Sequence, residues 1–249
     1  MNRKLLIIGI IVVGAAAVAW HYTSNPWRAS RIGDIPTPMG YERVDANDYA
    51  GFLRSLPLKR HGSMVRLYTG GKARLQFLSL GVIDMPLLSN SEQCADITMR
   101  IRAEYLWDSG EYARIGFTDV NGNRHPYNGG ASRDSFEKYL KATYDRSNTA
   151  SVYKETRPRP FGEVRPGDVF VYPSRRKGAY GHAVLVADVA KNRSGRIAVL
   201  CVEGNTPARE AHVLRNLKRP WSAWFVLNGD EDVVHLTPFR FNKGELRHY

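Results

Sequence analysis

Cys94, His182 and Glu203 are the residues of this chain that could do covalent chemistry together: a thiol, an imidazole and a carboxylate, in that order along the sequence. A thiol attacks as thiolate, so it needs a base to take its proton and a third group to orient the base. Cys94 opens the run Cys94-Ala95-Asp96-Ile97-Thr98, which has helical character. At a helix start, free backbone N–H groups and the positive end of the dipole favour an anion, and so a thiolate. Ser89 with Glu92 three places later fits a capping box, and Ser91 is a competing N-cap. Either choice leaves Cys94 in or near the first turn. Ile97, Thr98, Ile101 and Tyr105 share its face at helical spacing, while Arg100, Arg102 and Glu104 fall largely off it.

Each of these residues taken alone has a plainer explanation. A single Cys among apolar neighbours is usually a small core residue, a lone His a core or turn residue, and a Glu at a strand end a solvated charge. Their combination favours the chemical reading.

The elements that must position them can be read from the flanking pattern. Gly167-Asp168-Val169-Phe170-Val171-Tyr172 and Gly181-His182-Ala183-Val184-Leu185-Val186 are short apolar runs joined by a polar loop. They predict a β-hairpin with His182 at the start of its second strand. A third run, Arg196 to Glu203, sets Cys201 and Glu203 on one face and Val202 on the other. Base and orienter then sit on neighbouring strands, with Asn205 as the alternative if the register differs by two. Elsewhere, a short helix around Tyr49–Leu53, strands at Met64–Leu67 and Leu75–Leu80, a hairpin across Asn121-Gly122, and helices from Ser135 to Tyr144 and from Asn148 to Glu155 are expected. The fold class is α+β, an antiparallel sheet with the Cys helix packed on it. The closing stretch from Leu236 to Phe241 shows no chemistry of its own.

The order of a Cys helix, a Gly-Asp-Val-Phe strand, a Gly-His-Ala-Val strand and a third strand with a polar residue resembles papain-like cell-wall enzymes, the NlpC-type peptidases and CHAP amidases. That likeness is topological and covers about a third of the chain. Over most of its length the chain resembles an uncharacterised bacterial family of domain-of-unknown-function type. The motifs are Ser55-Leu56-Pro57-Leu58-Lys59, Val65-Arg66-Leu67-Tyr68, Gln93-Cys94-Ala95-Asp96, Arg102-Ala103-Glu104-Tyr105-Leu106, the Gly-His-Ala-Val strand and Ala211-His212-Val213-Leu214. In that family the position of Glu203 looks to be commonly Gln; papain-like enzymes accept Glu there, and a carboxylate favours the imidazolium more strongly than an amide does. The resemblance implies a papain-like core in which Cys94 attacks, His182 moves the proton and Glu203 orients the ring. The backbone N–H of Cys94 is the first oxyanion donor, with Gln93 or Tyr68 as candidates for a second. It also implies a peptide or cell-wall substrate.

The 249 residues, 43% hydrophobic and without a repeat, suffice for one domain with a core of its own. The expected organisation is a signal peptide or membrane anchor at 1–20, a linker at 21–40 and one catalytic domain at 41–249, elaborated at 41–88. Met1-Asn2-Arg3-Lys4 is a basic n-region, Leu5 to Trp20 is apolar, and Ala17-Val18-Ala19 fits a cleavage site. The chain is therefore expected outside the cytoplasm, either released or held at the inner membrane. Two Cys exclude a disulfide-rich scaffold, and a Cys94–Cys201 bridge would refute the nucleophile. No Cys or His stands at metal-ligand spacing beside either thiol, and no phosphate-binding loop is present, so neither metal nor cofactor is expected.

The net charge is +12. Part of it, Arg175, Arg176 and Lys177, precedes His182 and would draw an anionic substrate, or would simply be a solvated or lipid-facing loop. Nucleic acid is a poor partner for an exported chain. The function expected from these readings is an exported cysteine hydrolase of peptide or amide bonds. The alternative is a non-catalytic envelope binding or assembly module on the same fold.

Overall fold

The structure, a computed structural model, describes Gly14, residues 28–45 and residues 48–249. Apart from Gly14, the expected export segment at 1–20 lies outside the described residues. So does the first part of the expected linker.

The described chain is mixed α+β, built on thirteen strands and four α-helices. The strands are β1 (Tyr41–Arg43), β2 (Ser79–Val82), β3 (Gly116–Thr118), β4 (Arg124–Pro126), β5 (Arg157–Pro158), β6 (Val169–Tyr172) and β7 (His182–Asn192). They continue with β8 (Ile197–Glu203), β9 (His212–Leu214), β10 (Trp224–Leu227), β11 (Val233–Leu236), β12 (Phe239–Asn242) and β13 (Leu246–His248). The helices are α1 (Asp48–Ser55), α2 (Cys94–Asp108), α3 (Arg133–Tyr144) and α4 (Thr149–Glu155). The main sheet runs β2-β9-β8-β7-β6-β13-β5, with β1 beside β7 and β10 beside β8, and its pairs are antiparallel.

β7 and β8 are its spine. Nearly every residue of β7 and every residue of β8 is buried, as expected where both faces are covered. Residues of alternate parity feed two cores. Leu185, Leu200 and Val202 pack with Ile97, Ile101 and Phe136 of the helices. Val184, Val186, Val199 and Cys201 pack on the other face with Phe225 and Phe241. Helix α2 is buried nearly all round, including Arg100, whose guanidinium pairs with Glu92 at 2.8 Å and with Glu104 at 3.3 Å. The expectation that Arg100 falls off the packed face is corrected by this internal partner.

The described part of the stretch before β1 is packed against the domain. Ile32 is fully buried, and its N–H donates to Leu56 O at 3.0 Å.

The Met64–Leu67 strand does not form. The Gln76 side chain takes the place of a strand partner, accepting from Val65 N at 2.9 Å and donating to Val65 O at 2.8 Å. Leu75 to Leu78 likewise form a turn, so the strand starts at Ser79.

Two glycines let the functional elements approach. A Cβ on Gly204, just after β8, would stand 2.5 Å from Ile97 Cγ1 and 3.3 Å from Gln93 O. One on Gly181, just before β7, would stand 2.2 Å from Thr149 Oγ1. Only a residue without a side chain lets the end of β8 and the start of β7 close onto the helices there.

Candidate active site

The start of α2 differs from the expected caps in a way that fixes Cys94. Neither Ser89 nor Ser91 caps the helix. Glu92 is drawn inward, accepting from Leu88 N at 2.6 Å and from Arg100. Gln93 therefore becomes the N-cap, in extended conformation, with its N–H donating to Asp96 Oδ2 at 2.8 Å. Cys94 is the first helical residue, so its own N–H is one of the donors left without a partner in the helix.

The sheet brings the other two residues to this point. Tyr172 pairs with His182 across β6 and β7, and Leu185 with Val202 across β7 and β8. The start of β7 and the end of β8 thus lie side by side. His182 Nε2 stands 2.6 Å from Glu203 Oε2, with both residues buried. The register resolves the alternative third residue: Glu203, and not Asn205, meets the ring. Asn205 turns instead to Thr206 N at 2.8 Å. Cys94 reaches the same imidazole, and with Nε2 engaged by Glu203 the nitrogen available to it is Nδ1.

Burial alone would discharge His182. Hydrogen bonds and charge from Cys94 and Glu203 outweigh it and lift the imidazole to about 9. Burial likewise opposes the Glu203 charge, yet hydrogen bonds from His182 and His212 bring its carboxyl down to about 2. The pair is thus arranged as imidazolium and carboxylate.

Two further residues complete the site, and sequence reasoning missed both roles. His212, which faces Glu203 across β8 and β9, places Nε2 3.3 Å from Glu203 Oε1 and Nδ1 3.0 Å from Glu210 O. Both neighbours are acceptors, so each ring nitrogen faces an oxygen. Glu203 is therefore held between two imidazoles, one per oxygen. Phe239, in the closing segment that showed no chemistry, stacks on His182 with ring centroids 3.6 Å apart and planes 18° apart. It covers one face of the base. His212 was visible as part of a motif, but its role depends on the β8–β9 register. Phe239 gave no signal.

A cavity of about 340 Å3 opens beside the thiol. Cys94, Gln93 and Asp96 of the α2 start line it, facing Tyr144 and Asp145 at the end of α3 and Tyr180 before β7. Gln93 thus lines the same cavity as the thiol. Its Oε1 accepts from Thr206 Oγ1 at 2.8 Å, which leaves the Nε2 donors for another partner. Tyr68 is not among the lining residues and is 47% exposed.

Arg175, Arg176 and Lys177 do not line the cavity either. Arg175 is held by Glu245 at 2.6 Å and lies over the Tyr172 ring at 3.9 Å. Cys201 is free, as is Cys94, and lies wholly buried in the core on the far face of β8, where burial pushes its thiol up. Among the described residues no group of His, Cys, Asp and Glu is arranged to hold a metal ion.

Comparison with known proteins adds a family. The model of the family described as "Domain of unknown function (4846)" matches residues 32–131 and 127–248. No curated protein and no solved structure matches the chain. The chain therefore belongs to that family of unknown function.

Proposed function

We propose that this member of the family is an exported cysteine hydrolase of peptide or amide bonds with a papain-like core, acting through Cys94, His182 and Glu203. The observation that carries the proposal is the 2.6 Å contact of His182 with Glu203 while the same ring serves Cys94 at the mouth of a cavity.

The proton of Cys94 rests on His182 as imidazolium, and the thiolate sulfur adds to the carbonyl carbon of the substrate. The oxyanion is met by the Cys94 N–H and the Gln93 Nε2. The C–N bond then breaks, His182 returns its proton to the leaving amine, and a thioester remains on Cys94. Water, deprotonated by His182, hydrolyses the thioester to acid and free thiol. Glu203 holds the ring in the orientation that aims Nδ1 at sulfur, and His212 fixes Glu203.

A bacterial wall peptide is the proposed substrate, by resemblance to the papain-like wall enzymes. Export rests on the n-region, apolar run and Ala17-Val18-Ala19 site of the first twenty residues. Among the described residues no helix is long and apolar enough to cross a membrane.

An anionic substrate finds less support than the basic loop suggested, because the charged residues that line the cavity are Asp96 and Asp145. A non-catalytic envelope module is the second reading. It is favoured by one observation, the cover that Phe239 lays over His182.

Incubation of the protein with isolated wall peptides, followed by mass spectrometry, tests the proposal. Hydrolysis that disappears in Cys94→Ala supports it. Absence of any product from the wild-type protein favours the module.

A further inference from the structure

The cavity beside Cys94 runs against the charge of the molecule around it. In a chain of net charge +12, the two charged side chains lining this cavity are both carboxylates, Asp96 and Asp145. Asp96 is 4% exposed, and only one of its oxygens is used at the helix cap. The other, Oδ1, has no hydrogen-bond partner among the described residues, and neither has the hydroxyl of Tyr144, which is also 4% exposed. Buried polar atoms are rarely left so, and an orphaned one next to an opening calls for a partner.

Asp96 Oδ1 accepts when the carboxyl is ionised, and the Tyr144 hydroxyl can accept as well as donate, so a ligand rich in donors would serve both. The protein does not supply these donors. Arg100, the buried cation of α2, is committed to Glu92, Glu104 and Pro86 O at 2.8, 3.3 and 2.7 Å. Asp145 adds a second carboxylate at the exposed rim. Burial raises the Asp96 carboxyl well above the usual carboxylate range, and the like charges of Glu92 and Asp145 add to it, so a cation placed here would restore its charge.

We propose that this cavity is a subsite for a primary ammonium group of the substrate, with Asp96 and Asp145 as its counter-charges and the Tyr144 hydroxyl as a further acceptor. An ammonium brings one positive charge and three donors, which matches two carboxylates and a hydroxyl. Because Cys94 lines the same cavity, the amine sits on the substrate close to the carbonyl that Cys94 would attack. This assignment deepens the hydrolase reading and rests on it only for the bond that is cleaved. The amine has two sources, the α-amine of a peptide N-terminus or the side-chain amine of a diamino acid.

The test uses the full chain and three methanethiosulfonates: methyl, 2-aminoethyl and 2-sulfonatoethyl. In each, the Cys94 thiolate attacks the sulfenyl sulfur, an S–S bond forms, the S–SO2 bond breaks and methanesulfinate leaves. The ratio of aminoethyl to sulfonatoethyl rates at Cys94, divided by the same ratio for glutathione, is expected to be about tenfold or more. It should fall towards one in Asp96→Asn, which keeps an oxygen for the Gln93 N–H, and fall partly in Asp145→Asn, at an exposed position. A normalised ratio of one or below in the wild-type protein would overturn the subsite.

The methyl reagent reads the hydrolase proposal separately, since a Cys94 inert to it is no nucleophile. Amide NMR shifts at Asp96 and Tyr144 on addition of L-alaninamide, Nα-acetyl-L-lysinamide or N-acetyl-L-alaninamide then decide the subsite without the thiol. Saturable shifts with the first assign an α-amine, and with the second a side-chain amine. Equal shifts with all three, or none with any, overturn the proposal.

Discussion

β7 carries a buried charged cluster at each end, and the two differ in what they can do. Towards its C-terminal end, at the bulge where the β7–β8 register shifts, Asp188 is fully buried between Arg43 Nε at 2.6 Å and Arg54 Nε at 2.9 Å. Both guanidiniums also donate to backbone, to Ile35 O and Val44 O. Arginine keeps its proton at any accessible pH, so this cluster can only hold β1 and α1 onto the sheet. At the other end Glu203 is buried between the imidazoles of His182 and His212, side chains that can take up and release a proton, and a thiol and a cavity adjoin them. Burial and pairing are common to both clusters. What sets the second apart is a movable proton beside an opening.

The largest expected effect on stability belongs to the first cluster. Asp188→Ala strands two partly buried arginines and should cost about 3–5 kcal/mol in urea unfolding. The fraction still folded should alkylate Cys94 at the wild-type rate. Altered alkylation there would mean that the two ends of β7 are not independent.

Glu203→Ala comes next. It removes the shared acceptor of two imidazoles and should slow alkylation of Cys94 about tenfold or more, whereas Glu203→Gln, which keeps an acceptor, should slow it only mildly. Equal effects of Ala and Gln would show that Glu203 does not orient the ring.

The pH dependence separates the clusters further. His182 is raised to about 9 from an ordinary 6.5, so its contribution to stability is full below 6.5 and is lost as pH rises through about 9. Glu203 is lowered to about 2 from 4.5, so its contribution is present above 4.5 and is lost as pH falls through about 2. The stability gap between wild type and His182→Gln should therefore close on the alkaline side, and that for Glu203→Gln on the acid side. Gaps that stay level across both windows would contradict the ionised pair.

Much of this end of the molecule was legible in the sequence, because its signals are local. Cys94 at a helix start, His182 after a glycine that opens a strand, and the parity of Glu203 in an apolar run each need only a few neighbouring residues. What escaped depends on distant partners. The exact start of α2 turned on the pull of Arg100 on Glu92, the lost strand at Met64–Leu67 on the Gln76 amide, and the cover of His182 on a ring from the last hairpin. The basic loop shows the same limit, since charge counted along the chain does not reveal that Glu245 holds Arg175. The smallest expected effect lies there. Changing Arg175, Arg176 and Lys177 to Gln should cost at most about 1 kcal/mol and leave the salt dependence of Cys94 labelling nearly unchanged. A marked change in that salt profile would restore the loop to the site.

The central claim is that His182 makes Cys94 a nucleophile. It is tested most directly by the rate of iodoacetamide alkylation at Cys94 against pH, in the wild-type protein and in His182→Ala. At about pH 6.5 Cys94 should react well ahead of Cys201, and His182→Ala should slow it about a hundredfold while the fold persists. Equal labelling of the two thiols in the folded protein, or labelling of Cys94 indifferent to His182, would contradict the account.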